Sequence, residues 1–109
     1  MATYDTLPVY RTAYELLLGI FAWVATLPRE HKYTLGEHIK EETLLMIRSV
    51  YRANSSIQPR REYIDTAREH TETIRLFLRL AKDMKYIGLQ KFVELSTLIE
   101  SISRQLVGW

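Results

Sequence analysis

The feature that most constrains this chain is the apolar spacing at its end. Phe92, Leu95, Ile99, Ile102, Leu106 and Trp109 recur at alternating intervals of three and four, and a helix turns such a pattern into one continuous seam. A seam of that length has to be covered by other helices. Only Gly88 separates it from a long periodic segment, about Ile57 to Ile87, so these two helices must fold back antiparallel. On the longer segment Tyr63, Ala67, Ile74, Phe77, Leu80, Ala81, Met84 and Ile87 form the expected core face, flanked by Leu76 and Leu78, with Ser56 as the expected cap and Gly88 as the stop.

Two further helices precede this pair. Thr34 and Glu37 have the spacing of a capping box, which opens a helix whose core face is Leu35, Ile39, Met46, Val50 and Ala53, with Ile47 on its flank, fading at Asn54, Ser55 and Ser56. The first helix is expected from Pro8 to Leu27, since proline is tolerated in an opening turn and Pro28 blocks continuation. Short links between four helices predict an all-α, antiparallel up-down-up-down four-helix bundle, residues 1–109 forming a single domain. Arg11, Glu15, Gly19, Ala22 and Thr26 make only a thin polar or small stripe on the first helix, whereas Tyr10, Tyr14, Leu17, Leu18 and Phe21 are among the apolar residues around it. A helix that apolar is buried on more than one side, and the expected second cover is another copy of the chain, a homo-oligomer.

Several function classes fall away on composition and spacing. The longest uncharged stretch, Leu16 to Pro28, is 13 residues, short of the roughly 20 needed to cross a membrane. Cysteine is absent, which removes thiolate metal sites and cysteine nucleophiles and is in keeping with a reducing cytoplasm. No Glu-x-x-His pair is present; each of the histidines His31, His38 and His70 directly follows a glutamate, a spacing that points the two side chains to different faces of a helix. No metal, cofactor or catalytic residue is expected, and His70 reads as a hydrogen-bonded core histidine. Glu62, Asp65, Glu69 and Glu72 interleave with Arg61, Arg68 and Arg75 at helical spacing, the pattern of surface ion pairs rather than of a catalytic carboxylate pair.

The net charge of +2 conceals an asymmetry: residues 48–91 carry ten basic and five acidic side chains, whereas the segments on either side are net acidic. Arg61, Arg68, Arg75, Arg79 and Lys82 fall on one stripe of the third helix, expected opposite its core face. From Arg75 to Lys91, five basic residues, Lys85 among them, face Asp83 alone. Such a stripe neutralises phosphates without reading bases, which predicts salt-sensitive, sequence-nonspecific nucleic-acid binding.

The run Pro28-Arg29-Glu30-His31-Lys32-Tyr33-Thr34-Leu35-Gly36, then Arg79-Leu80-Ala81-Lys82-Asp83, then the terminal Gly108-Trp109 resemble, in matching order from about Tyr10 to Trp109, a bacterial four-helix bundle family. That family comprises proteins encoded by intervening sequences of 23S rRNA genes and the accessory variability determinant of diversity-generating retroelements. The resemblance implies a cytoplasmic homo-oligomer, a five-membered barrel, that binds nucleic acid and the retroelement reverse transcriptase while template RNA is copied. It also implies that Arg79, Lys82 and the loop residue Arg29 contact nucleic acid. With the stripe, the candidate nucleic-acid-binding residues are Arg29, Arg61, Arg68, Arg75, Arg79, Lys82, Lys85 and Lys91. A protein–protein scaffold without a nucleic-acid role is the alternative.

Overall fold

Pro8 opens helix α1 (Pro8–Val24), where its missing N–H is one that no helix could use. A computed structural model describes residues 7–55 and 60–109; the expected cap Ser56 and helix start Ile57 lie outside them. Val9, Ala13, Leu16, Ile20, Trp23 and Val24 form the buried row of α1. The helix ends before the expected Leu27. The Thr26 hydroxyl donates to the Trp23 carbonyl at 2.6 Å, and the Leu27 N–H turns back to Val24 at 3.0 Å.

Helix α2 (Glu37–Ser55) is entered differently from the expectation. Pro28, extended at φ −56° and ψ 151°, starts the winding. Its carbonyl accepts from the N–H groups of His31 and Lys32 at 3.0 and 2.9 Å. The chain runs as helix over Arg29–His31, widens to a π-helical turn over Lys32–Gly36 and continues into α2. Thr34 therefore lies inside the helical winding, and its hydroxyl donates back to the Glu30 carbonyl at 2.8 Å, so no capping box forms. The wide turn seats Gly36 against α1. A Cβ there would stand 2.6 Å from Val24 Cγ1 and 3.3 Å from the His31 carbonyl, which leaves room only for glycine.

Helices α3 (Arg60–Asp83) and α4 (Leu89–Gly108) complete the bundle. Each helix packs on the next, α4 closes back onto α1, and α2 against α3 is the most extensive interface. This is the antiparallel all-α four-helix bundle that the spacing predicts. The α4 seam is observed as expected, with Leu95, Ile99, Ile102 and Leu106 at most 1% exposed and Phe92 and Trp109 packed partly buried at its ends.

The core row of α3 differs from the expected one. Ile64, Ala67, Thr71, Ile74, Leu78 and Ala81 are buried, whereas Leu80 and Met84 are exposed and Tyr63 and Phe77 are half-buried. Leu78, expected on the flank, lies at the centre. The reason is Thr71: polar by type, it fills a core position, and its hydroxyl donates to the Ala67 carbonyl of its own helix at 2.7 Å. Thr43 does the same on α2, donating to Ile39 at 2.7 Å. A threonine that satisfies itself on its own helix behaves as a valine-sized core residue.

The end of α3 also departs from expectation. Gly88 is not the stop; it precedes α4 with φ −73°. The helix ends at Asp83, and Lys85 turns the chain at φ +63°. The N–H of Tyr86 reaches the Ala81 carbonyl at 2.8 Å, and the N–H of Lys85 reaches Lys82 at 3.0 Å. That pair of bonds defines a Schellman cap, in which the left-handed residue is usually glycine.

Candidate nucleic-acid interface

The same periodicity that buries Ile64 to Ala81 places Arg61, Arg68, Arg75, Arg79 and Lys82 about a quarter turn around α3 from the core row. The stripe therefore borders α4 rather than standing opposite the core, and acidic residues of α4 come within reach of it. A cleft of about 420 Å³ between the two helices is lined by Arg75, Arg79 and Lys82 from α3 and by Phe92, Ser96 and Glu100 from α4.

The stripe divides into engaged and open members. The Arg75 guanidinium donates to Glu72 at 3.1 Å and to Ser103 at 3.1 Å, and pairs with Glu100 of α4. It ties α3 to α4. Arg61 pairs with Asp65 at 3.5 Å and Lys91 with Glu94 at 3.3 Å, both at the surface. Arg68 is exposed beside a second depression lined by Asp65, Glu69 and Glu72. Surface pairs contribute only about 0–1 kcal/mol and can yield to a phosphate, but they lower the local potential. At the far end the balance changes. The Arg79 side chain is 79% exposed and reaches Asp83 only at 3.9 Å. Lys82 lies over the Phe92 ring, its Nζ 5.1 Å from the centroid. Lys85 is exposed on the cap itself. Arg29 stands across the same bundle end, its guanidinium 5.8 Å from the centre of the Tyr33 ring.

Charge spacing along one helix does not reveal Glu100 and Glu94, which arrive from α4. It also passes over Lys32 and Tyr33 beside Arg29. Tyr33 is 63% exposed, and only its place in the fold distinguishes it from the many apolar aromatics of the chain. His70 does take a hydrogen-bonding partner, Glu42 of α2, Nδ1 to Oε2 at 2.5 Å, in a half-buried position between α2 and α3.

Among the described residues no group of histidines and carboxylates converges as a metal site, and no helix is long and apolar enough to cross a membrane. The fold and this edge define a helical-bundle protein whose prominent surface feature is a cationic rim at one end. The chain belongs to the bAvd-like family, named for the accessory variability determinant, whose family model matches residues 9–109. No curated protein matches the chain.

Proposed function

We propose that this chain is a non-catalytic accessory protein of a diversity-generating retroelement, a cytoplasmic homo-oligomer that binds RNA or cDNA without sequence preference and presents it to a reverse transcriptase. Membership of the bAvd-like family supports the retroelement setting. The observation that carries the binding role is the cationic end of the α3–α4 edge, where Arg79, Lys82 and Lys85 have Asp83 as their only acidic neighbour on α3. Arg75, held by two glutamates, serves the fold first.

The opposite side of the bundle supports the assembly. Tyr14, Leu18 and Phe21 of α1 are 41–56% exposed at helical spacing. Lys40 of α2 lies over Phe21, and Leu44 and Tyr51, one and three turns further along α2, extend the same face at 44–45% exposure. Covering this face with further copies, four in a pentamer, leaves the α3–α4 edge outward. A ring then repeats each cationic rim and multiplies weak contacts into avidity.

The direct test is binding of fluorescein-labelled oligouridylate at low salt by the wild type and by a variant carrying Arg79→Gln, Lys82→Gln and Lys85→Gln together. The variant should keep its helical circular dichroism and assembly mass and lose affinity for RNA of every sequence alike. Equal binding by both proteins removes the rim from the interface. A pull-down with a retroelement reverse transcriptase tests the partner.

A further inference from the structure

The up-down-up-down topology brings the α1–α2 turn and the α3–α4 turn to the same end of the bundle. Two contacts pin them together. The His31 and Tyr86 rings stack with centroids 3.9 Å apart and planes 26° from parallel, and the Trp23 indole N–H donates to the Tyr86 carbonyl at 3.3 Å. Lys32 follows His31 and Lys85 precedes Tyr86, so each of the two pinned turns carries a lysine. Arg29 and Tyr33 lie one turn apart in the α1–α2 turn, where they share a shallow depression with Pro28 and Glu30.

The ring at this end is placed for contact rather than for packing. Tyr33 is the most exposed aromatic residue among the described residues at 63%, and the Arg29 guanidinium stands over its ring at 5.8 Å from the centroid. Lys85 adds an independent sign. A non-glycine residue at φ +63° sustains a conformation that disfavours any Cβ by about 1–2 kcal/mol, and such an outlier points to use of its side chain.

We propose that this bundle end is a platform for unpaired bases, with Tyr33 as the stacking ring and Arg29, Lys32 and Lys85 holding the flanking phosphates. The proposal rests on the nucleic-acid reading above and goes beyond it by naming the form of the ligand. In a duplex both faces of every internal base are already stacked, so an exposed tyrosine gains nothing there. In a single strand a base face is free, and an aromatic ring beside cationic groups is the usual means of holding it.

The test compares oligouridylate with an RNA duplex of the same length, both fluorescein-labelled, at low salt, using wild type, Tyr33→Ala and Tyr33→Phe. Wild type should prefer the single strand. Tyr33→Ala should lower single-strand affinity by about 5- to 150-fold, the equivalent of one stacked base, and leave duplex affinity within about twofold. Tyr33→Phe should restore single-strand binding, and a strand carrying 5-iodouridine should photocrosslink at Tyr33. Wild-type single-strand binding by Tyr33→Ala, or an equal loss on strand and duplex, overturns the platform and leaves the cationic rim standing. Failure of the wild type to bind either RNA overturns the platform and the nucleic-acid reading together.

Discussion

Replacing Lys85 with glycine should make the protein more stable and a poorer RNA binder at once. Lys85 sits at φ +63° in the cap of α3, where a Cβ is disfavoured by about 1–2 kcal/mol. Glycine removes that penalty but carries about 0.5–1 kcal/mol more backbone entropy into the unfolded chain. The difference is a net stabilisation of about 0–1.5 kcal/mol, centred on about 0.75 kcal/mol or roughly 3–6 °C in Tm for a domain near this size. The cap bonds from Tyr86 to Ala81 and from Lys85 to Lys82 are made by the backbone and survive the change. Lys85→Gln is the control, since it removes the same charge but keeps the strain. Urea denaturation followed by circular dichroism should place the midpoint of Lys85→Gly above, and that of Lys85→Gln level with, the wild type. In oligouridylate titrations both variants should bind equally weakly. A Lys85→Gly protein no more stable than Lys85→Gln would refute the strain argument. Wild-type RNA affinity in both variants would refute the assigned use of the side chain.

Leu78→Ala should cost about 2–5 kcal/mol, because the leucine is 1% exposed at the centre of the α3 row. Phe77→Ala should cost about 1–2 kcal/mol, since that ring is only half-buried and stacks loosely on His38 with centroids 6.2 Å apart; the order of the two urea midpoints checks the assigned face. Gly36→Ala should destabilise by about 1–3 kcal/mol through its 2.6 Å approach to Val24. Gly19→Ala should be milder in the same assay, because its added methyl meets only the movable end of Leu95, at 2.7 Å. Leu18→Glu combined with Phe21→Glu should reduce the assembly to a monomer by light scattering while helicity is retained; an unchanged mass would place the subunit contact elsewhere.

The parts of the fold legible in the sequence are those where side-chain type and burial agree. Leu95, Ile99, Ile102 and Leu106 announce a seam because every core position is apolar. On α3 that agreement fails twice. Thr71 is polar by type yet fully buried, and Leu76, Leu80 and Met84 are apolar yet 46–64% exposed, so the apolar face read from the sequence is rotated away from the true core row. The start of α2 is not legible locally, because Thr34 and Glu37 satisfy the capping pattern while Pro28 earlier in the chain supplies the real beginning. For the candidate interface, the stripe Arg61 to Lys82 follows from periodicity alone. Its neutralisation does not, because Glu100 meets Arg75 across helices, 25 positions along the chain. The pinning of the turns that carry Lys32 and Lys85 depends on the stacking of His31 on Tyr86, which no local pattern encodes.

The central claim is that a cationic rim neutralises phosphates, and the salt dependence of RNA binding measures that directly. Each neutralised phosphate of a single strand contributes about −0.7 to the slope of log K against log salt concentration. Arg79, Lys82 and Lys85, with Arg29 or Lys32, therefore predict a slope of about −2 to −3 per protomer engaged for oligouridylate. The triple glutamine variant should retain only a shallow remnant of that slope. A wild-type slope near zero, or a triple variant whose slope matches the wild type, would contradict the account.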